Sequence, residues 1–376
     1  VTDVSDGARS LPQADLVLDA AFGTGFRGTW DPPGSGAAPV LAVDVPSGLS
    51  GLTGEASGSP WHAVRTVTFA ALKPGLLQGD GPRHCGEVVL ADIGLDTSSA
   101  RAHLVEDADV TEWVPARQPG DHKWRHAVWV VAGSPGMAGA GWLCSHSAGR
   151  GGASYVRASS PGVEHPDAPR EAVGVGLPAT GWGADVADGA SRFGAIACGP
   201  GLGQPDGLRD DLEAVASSGV PLILDADALR AIGTEPLDAI ASGAARVVMT
   251  PHDGEYRSLV GEAPGADRFE AARRAARHHR CVVLLKGPTT VVADPTGVCL
   301  ASRSGDPRLA TAGSGDVLSG LIAAHLASGA DPLRAAASAA HLHGLAGRLA
   351  GRFGVLAGDI ADALGDAREL VSEPSY

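Results

Sequence analysis

Short apolar runs alternate with polar or glycine-rich turns along most of the chain, and each run is long enough for one buried strand. In the latter part of the chain, helical patterns of apolar residues follow these turns. This alternation of strands and helices is typical of a parallel sheet with helices on both faces. The predicted strands of this part begin at Ala127, Gly194, Pro221, Arg246 and Cys281. The last of these runs, CVVLLKGPTTVVADPTG, predicts two strands joined as a hairpin.

The first part of the chain shows a smaller set of apolar runs, which predict strands at Leu16–Ala20, Val40–Val43, Val64–Phe69 and Glu87–Ala91. Two of these runs lead directly into an aspartate and a turn of glycine or serine, at Asp19 and Asp44. The carboxyl ends of parallel strands meet at one edge of a sheet, and ligands bind outside that edge. The pattern therefore predicts a partial Rossmann-like α/β domain with its site at this edge.

Between the two parts, residues 107–122 are charged, contain proline and glycine, and lack sustained periodicity. Such composition is typical of a linker between domains. We therefore predict two domains, residues 1–107 and residues 108–376. A length of 376 residues is sufficient for both to bury a core.

Composition narrows the class of protein. Hydrophobic residues make up 44% of the chain and charged residues 19%, which indicates a globular protein. A net charge of -14 argues against nucleic acid as the main partner, although loops and helix ends still bind phosphates locally. No apolar run reaches membrane-spanning length, and the first residues do not resemble a signal peptide. The five cysteines are scattered without CxxC spacing, so we expect a reducing, cytoplasmic location and no membrane partner.

One stretch, ATAGSGDVLSG at residues 310–320, carries the clearest chemistry. Small residues run through Gly313, Ser314 and Gly315 into Asp316, and a helical apolar pattern follows at once. A glycine-rich turn that opens a helix presents free backbone N–H groups and the positive end of the helix dipole to an anion. An acid beside it can accept a proton, so the stretch suits transfer of a phosphoryl group onto a hydroxyl. Taken alone, the stretch is equally well explained by Asp316 capping its helix.

Turns of the same kind follow every predicted strand of the second domain. They contain glycine, proline or acidic residues and lie at 133–141, 199–203, 225–227, 252–255, 286–290 and 313–316. Their repetition predicts that they meet at one edge of the sheet and form a single site.

The motifs at these turns resemble a known family. AGSPGMAGAG, CGPGLG, LDADAL, TPHDGE, LLKGPTT and LATAGSGDVLSG occur in the order found in ADP-dependent NAD(P)H-hydrate dehydratases of the ribokinase-like superfamily. The resemblance runs from about Val114 to Leu364 and implies a ribokinase-like parallel-sheet sandwich. Three positions depart from the family pattern: Trp124 replaces a usual glycine, Asp253 a proline and Asp306 an asparagine.

This resemblance implies a reaction and a role for each residue at a matching position. The family removes water from (6S)-NAD(P)H hydrate with ADP as phosphoryl donor and releases AMP and phosphate. Asp316 would be the general base and a substrate contact. Further substrate contacts would be Ala140, Gly203 and His252. The implied nucleotide contacts are Lys286, Gly287, Pro288, Thr289, Thr290, Gly313, Ser314 and Gly315. Asp225 and Asp227 would orient Mg²⁺ or water near the phosphates.

The first part of the chain resembles the latter half of an NAD(P)H-hydrate epimerase domain, through GTGFRG, DVPSGLSGLTGE and TFAALKPGLLQGDGPRHCGEV. By this resemblance Asp19 and Ser47 would hold K⁺. The implied contacts to the hydrated nucleotide are Gly23, Thr24, Gly25, Phe26, Arg27, Gly28, Thr29 and Asp44. The family's opening Asn-Asn-Gly-Asp-Gly type motif does not occur in this sequence. We therefore expect a truncated domain, from a fragment, a late assigned start or decay, and epimerase activity from this chain alone is not supported.

Two other functions stay open at this point. A small-molecule kinase of the same superfamily, acting for example on a thiazole or pyrimidine alcohol, shares the 310–320 stretch. A non-catalytic nucleotide-binding protein is compatible with a truncated first domain. The expected partners are NAD(P)H hydrate, ADP and further copies of the chain in a homo-oligomer. The sequence does not distinguish the two hydrates or ADP from ATP.

Overall fold

The computed structural model describes residues 11–243 and 245–372, which group into two compact units. The first contains the described residues up to Ala100 together with Gly265–Arg268, and the second contains the others. The division falls at 100/101 and not at the predicted 107/108. The difference arises because a strand at Ala102–Leu104 belongs to the second sheet, and because Asp107–Trp113 is a helix where a linker was predicted.

The strands in chain order are β1 Val17–Asp19, β2 Val40–Val43, β3 Arg65–Phe69, β4 Glu87–Ala91, β5 Ala102–Leu104, β6 Ala127–Val131, β7 Tyr155–Ser159, β8 Val173–Gly174, β9 Ala195–Cys198, β10 Leu222–Leu224, β11 Val247–Met249, β12 Val282–Leu285, β13 Thr290–Ala293 and β14 Cys299–Ser302. The α-helices are α1 Gly81–His84, α2 Asp107–Trp113, α3 Ala138–Arg150, α4 Gly183–Gly189, α5 Leu208–Ser217, α6 Asp227–Ile232, α7 Asp238–Ala241, α8 Asp253–Val260, α9 Arg268–His279, α10 Ser314–Ala327, α11 Pro332–Leu349, α12 Ala357–Asp362 and α13 Leu364–Ser372.

The first unit is built on a four-stranded parallel sheet in the order β1-β2-β3-β4. Side chains alternate between the two faces of a strand, and one face buries Val17, Val40 and Ala42 in a small apolar core. All four strands predicted from the sequence are confirmed to within two residues at either end. Their carboxyl ends lie together, as the parallel pairing requires.

The second unit contains a ten-stranded sheet in the order β5-β14-β13-β12-β11-β10-β9-β6-β7-β8. All neighbouring strands pair in parallel except β12 with β13 and β13 with β14, which are antiparallel. The predicted hairpin at 281–297 is therefore confirmed. The central strands β6, β9, β10, β11 and β12 are buried along their whole length, which explains why they appear in the sequence as continuous apolar runs.

Helices of the second unit pack in two groups. One group joins α10 to α3, α11 and α12, and the other joins α5 to α4, α6 and α7. Helix α10 is buried over nearly its whole length, so the glycine-rich turn at its start is anchored to the core of the unit. Within the described residues, no helix is both long enough and apolar enough to cross a membrane.

Candidate active site

The centre of the site is a pair of opposite charges at the carboxyl edge of the large sheet. Asp225 follows β10, and Lys286 follows β12. The Lys286 Nζ atom lies 2.7 Å from Asp225 Oδ1 and 3.7 Å from Oε2 of Glu255, which belongs to α8. Burial opposes the charge of the ammonium group, but the two carboxylates prevail and raise the pKa of Lys286. The site therefore holds a permanent cation.

Asp225 is fixed on all sides. Its Oδ1 also accepts a hydrogen bond of 2.9 Å from the backbone of Ala226, and its Oδ2 accepts one of 2.7 Å from Ser319 Oγ. Ala226 has φ 51°, a conformation that costs energy for a residue with a side chain. On the backbone side, a Cβ atom at Gly199 would lie 1.9 Å from the carbonyl oxygen of Asp225, so only glycine fits there. The strained backbone of Ala226 and the close packing at Gly199 together hold the Asp225 side chain in one direction.

Asp316 is the third residue of α10 and is half-buried next to this pair. Burial and the negative charge of Asp225 raise the pKa of Asp316 to about 7, although Lys286 acts in the opposite direction. Asp227 and Glu255 contribute to the same increase. A carboxylate with a pKa near neutrality can take a proton from a substrate and release it later. The chemistry of a general base is thus available at this position.

The turn before Asp316 brings backbone close to the cation. Gly313 has φ 89° and a Cβ there would lie 2.5 Å from Leu143 Cδ1, so glycine is required. At Gly315 a Cβ would lie 3.5 Å from Lys286 Nζ and 3.9 Å from Asp225 Oδ2. The Ser314 hydroxyl donates a 2.7 Å hydrogen bond to the Leu309 carbonyl. The start of α10, Lys286 and Asp225 therefore meet, as the sequence predicted.

The TPHDGE segment forms the start of α8. The His252 backbone N–H donates to Glu255 Oε2 at 2.9 Å, and His252 Nδ1 accepts from the Gly254 backbone N–H at 2.9 Å. His252 Nε2 lies 3.3 Å from Glu255 Oε1, while its side chain is 53% exposed. Glu255 therefore caps the start of α8 and also contacts the His252 imidazole. The imidazole is available to a ligand.

Ala140 and Gly203 lie on neighbouring turns. A Cβ at Gly201 would be 3.0 Å from Ala140 Cβ, so the turn after β9 packs against the start of α3. The Gly203 backbone N–H donates to Asp227 Oδ2 at 2.9 Å, and the space beyond Gly203 is open. One carboxylate oxygen of Asp227 therefore stabilises the turn after β9 by accepting this hydrogen bond.

Among the described residues there is no cluster of three or more His, Cys, Asp or Glu arranged to hold a metal ion.

The 287–290 turn follows Lys286 and joins β12 to β13. Pro288 is exposed and Thr289 is buried, while the Thr290 hydroxyl donates to the Gly287 carbonyl at 3.4 Å. The turn is thereby closed on itself and stays continuous with Lys286.

Sequence reasoning missed Ser319 as a member of the site. Its spacing of three residues from Asp316 on the same helix was the signal that could have indicated it.

The first unit has a separate polar cluster at the end of β1. Asp19 Oδ2 accepts a 2.8 Å hydrogen bond from the Ser47 backbone, whereas its buried Oδ1 has no hydrogen-bond partner among the described residues. Ser47 Oγ accepts from the Phe22 backbone N–H at 2.9 Å. An unsatisfied buried carboxylate oxygen beside hydroxyl and carbonyl oxygens fits a hard cation that prefers oxygen ligands.

Asp44 lies at the end of β2 with φ 69°, and the ammonium group of Lys73 is 2.6 Å from its Oδ1. A Cβ at Gly23 would be 3.9 Å from Asp44 Oδ2, so the glycine loop passes directly beside this carboxylate. Most of loop 23–29 is exposed, with Phe26 half-buried. The structure brings the loop and Asp44 together as expected.

Comparison with known proteins agrees with this geometry. The NAD(P)H-hydrate dehydratase family profile matches residues 128–366. The bifunctional NAD(P)H-hydrate repair enzyme Nnr of Salinibacter ruber is 38% identical over 368 residues, which cover 88% of this chain and 67% of that protein. The chain belongs to the NAD(P)H-hydrate dehydratase family. The Nnr enzyme of Moorella thermoacetica is 37% identical over 389 residues, 94% of this chain and 73% of that protein. The predicted enzyme class, a dehydratase of the lyase type, is thereby confirmed.

Solved structures support the same family and fold. An ADP/ATP-dependent NAD(P)H-hydrate dehydratase from Bacillus subtilis, co-crystallized with ATP/Mg²⁺, is 27% identical with a TM-score of 0.62. The likeness covers 72% of this chain and 99% of that one. A ribokinase-like superfamily protein from Enterococcus faecalis, 22% identical with a TM-score of 0.61 over 74% of this chain and 100% of that one, shows the fold. The predicted ribokinase-like α/β fold is confirmed.

The first unit also has a family match. The profile of the YjeF-related protein N-terminus covers residues 2–75. The predicted truncation of this domain is not confirmed by that match and stays a prediction.

Proposed function

We propose that the second unit dehydrates (6S)-NAD(P)H hydrate to NAD(P)H, with ADP as phosphoryl donor and AMP and phosphate as products. The observation that carries this proposal is the meeting of three groups at one point. The N-terminal turn of α10, the cation of Lys286 and a carboxyl group with a pKa of about 7 at Asp316 lie side by side. Together they supply anion stabilisation and a proton acceptor, which phosphoryl transfer onto an alcohol requires.

The substrate class explains why a phosphoryl group is needed. The hydrate carries a hydroxyl on C6 of the reduced nicotinamide ring, and hydroxide is a poor leaving group. Asp316 takes the hydroxyl proton while the oxygen attacks the terminal phosphorus of ADP, and the bond to the AMP oxygen breaks. The ring nitrogen lone pair then expels phosphate, and loss of a proton from the neighbouring carbon restores the reduced ring.

The remaining contacts follow from where the side chains lie. Lys286 and the 287–290 turn contact the nucleotide, and Gly313, Ser314 and Gly315 hold the transferring phosphoryl group through backbone N–H groups. His252, exposed beside Glu255, contacts the hydrate, as do Ala140 and Gly203 through their lack of bulk.

We propose that Mg²⁺ enters with the nucleotide phosphates on the acidic side of this site. Mg²⁺ keeps several water ligands and binds through one or two carboxylates together with substrate phosphates. Asp225 and Asp227 are the residues that would hold it, directly or through water. When bound, the ion neutralises charge on the phosphates.

For the first unit we propose a K⁺ site at Asp19 and Ser47 and a hydrate contact at Asp44 and the 23–29 loop. The buried Asp19 Oδ1 without a partner supports the cation site. We assign no epimerase activity to this chain alone.

A homo-oligomer and a cytoplasmic location stay predictions. Light scattering after gel filtration would test the first, and cell fractionation would test the second.

The deciding experiment incubates the purified protein with NADH hydrate and ADP and follows the absorbance of the reduced ring. We expect absorbance to return only when ADP is present. Asp316→Asn should abolish the signal, whereas Asp366→Asn, which alters an exposed carboxylate on α13, should not. Accumulation of a stable phosphorylated alcohol from another substrate would instead indicate a kinase. Tight ADP binding without turnover of either hydrate would indicate a non-catalytic protein.

A further inference from the structure

Ser319 links the helix that carries the glycine-rich turn to the ion pair beside that turn. Its side chain is buried, and its Oγ donates a 2.7 Å hydrogen bond to Asp225 Oδ2. The other carboxylate oxygen of Asp225, Oδ1, lies 2.7 Å from Lys286 Nζ. Two short contacts through one carboxylate therefore connect α10 with the cation of the site.

Helix α10 is the fixed end of this connection. A Cβ at Gly320, the residue after Ser319, would lie 2.1 Å from the Cys144 carbonyl oxygen and 2.1 Å from Ser147 Oγ, both on α3. The two helices are therefore in close contact at the level of Ser319. This packing sets the position of the hydroxyl, and the hydroxyl in turn holds the carboxylate of Asp225.

The ammonium group of Lys286 is the end of the connection that has freedom to move. A lysine ammonium sits on a flexible four-carbon stem. The Lys286 side chain is 22% exposed, whereas that of Asp225 is 2% exposed. Glu255 Oε2 lies 3.7 Å from Nζ, which is longer than a hydrogen bond, so Asp225 makes the closer of these two ion pairs. The orientation of Asp225 therefore influences where the ammonium group lies.

The place of the ammonium group matters because the glycine-rich turn is adjacent to it. A Cβ at Gly315 would lie 3.5 Å from Lys286 Nζ and 3.9 Å from Asp225 Oδ2. Backbone N–H groups at the start of a helix attract an anion. A cation that is already in place beside them stabilises that anion without first having to reorient.

We propose that Ser319 is a positioning residue that, by holding Asp225 against α10, keeps the Lys286 ammonium group beside the glycine-rich turn. This role rests on the proposed dehydratase function, in which Lys286 and the turn contact the phosphates of ADP. A purely structural role would be different, because the hydroxyl would then only satisfy a buried carboxylate. The two roles differ in whether the effect of the hydroxyl on ADP binding depends on Lys286.

The first test compares variants of Ser319 with and without a hydroxyl. Ser319→Thr and Ser319→Val have nearly the same shape, but only threonine keeps the donor, and Ser319→Ala removes it without adding volume. ADP binding is measured by calorimetry in EDTA, so that magnesium does not contribute, and kcat is measured with NADH hydrate. Without the hydroxyl, the Kd for ADP should rise about 3- to 10-fold and kcat should fall about tenfold. The Thr variant should keep a Kd within about threefold of the parent, on the same argument.

The second test repeats Ser319→Ala in the Lys286→Met background. If Ser319 acts through Lys286, the substitution should now raise the Kd for ADP by less than about twofold, because the group that it positions is absent. A purely structural role predicts the same factor in both backgrounds.

Ser338 on α11 supplies a matched control. It is buried like Ser319, and its hydroxyl donates to the Ala335 carbonyl at 3.1 Å and lies 2.9 Å from His325 Nδ1. Ser338→Ala removes a buried hydroxyl away from the candidate site. It should lower thermal stability but leave kcat and the Kd for ADP as they are in the parent.

The two readouts separate failure of this role from failure of the proposed function. If the parent binds ADP but turns over no hydrate, the dehydratase function fails, while an ADP affinity that depends on the hydroxyl and on Lys286 would still support Ser319. Absence of ADP binding by the parent would overturn both. Equal Kd and kcat in folded Thr and Val variants, or parental values in Ser319→Ala, would overturn the positioning role. The Thr and Val comparison decides the matter even if Lys286→Met binds ADP too weakly to measure.

Discussion

Asp316→Asn should lower the activity of the protein and raise its stability. Asparagine resembles the protonated carboxyl group in shape but accepts no proton. If Asp316 is the general base, the substitution should lower turnover by at least about 10²-fold. The same change should make the protein more stable near neutral pH, because the buried site no longer has to hold that charge.

The size of the stability gain follows from the pKa of about 7 against the ordinary value of 3.8. Below pH 3.8 the group is protonated in both the folded and the unfolded chain and costs nothing. As pH rises toward 7, the unfolded chain releases the proton while the folded chain keeps it, so folding becomes less favourable. For the shift from 3.8 to about 7, the cost is roughly 1.5 kcal/mol at pH 5 and roughly 4 kcal/mol at pH 8.

The assay is thermal unfolding of both proteins at pH 5 and pH 8, without nucleotide. Each kcal/mol should shift Tm by about 2–4 °C in a unit of this size, so the Asn variant should gain about 8–16 °C at pH 8 and about 3–6 °C at pH 5. Asp366→Asn, on the exposed start of α13, serves as control and should show no such dependence on pH. A Tm difference that does not change with pH, or turnover within tenfold of the parent, would refute the assignment.

Three further predictions concern the same site. Lys286→Met leaves the buried Asp225 carboxylate without its cation and should raise the Kd for ADP at least tenfold, as measured by calorimetry, while unfolding becomes easier by about 3 kcal/mol. Gly313→Ala places a Cβ 2.5 Å from Leu143 at φ 89° and should lower stability by about 1–3 kcal/mol in urea unfolding. Gly139→Ala, with nothing within 4 Å of its Cβ position, is the control and should not lower stability. Because the pKa of Asp316 is about 7 and the ionised form is the base, kcat/KM should fall about tenfold per pH unit on the acid side of that value. If kcat/KM did not change between pH 5 and pH 7, the assignment of Asp316 as the general base would be wrong.

Much of the fold could be predicted because the buried strands are local signals. The runs at 127–131, 195–198 and 282–285 are buried over their whole length, and such strands appear in a sequence as uninterrupted apolar segments. The glycine and acid turns mark their carboxyl ends. The convergence of the 225, 286 and 313–316 turns then follows from parallel topology alone.

The edge of the large sheet could not be predicted in the same way. Strand β5 has three residues, too few for a periodic pattern, and it pairs with β14 almost two hundred positions later in the chain. That pairing is a tertiary interaction, and it moves the division between units to 100/101. Helix α2 was missed for a related reason: only Val110 is fully buried, so its apolar stripe is one residue wide.

One site residue that the sequence did not reveal is Ser319, which donates a hydrogen bond to Asp225 across ninety-four positions of the chain. Its residue type does not mark chemistry in its local context, since serine is common on helices. The strained φ of Ala226 has no sequence signal either, because alanine is an unfavourable choice for it.

On the proposed mechanism, the charge of the site explains why backbone N–H groups, and not further lysines, would face the phosphoryl group. The negative charges of Asp225, Asp227 and Glu255 raise the pKa of Asp316, whereas the positive charge of Lys286 lowers it. A second full positive charge beside Asp316 would lower its pKa toward the ordinary carboxyl range and weaken it as a base. The N–H groups carry partial charges and act mainly along their own direction. They can stabilise a developing anion while leaving the basicity of Asp316 largely intact, provided that their direction is fixed.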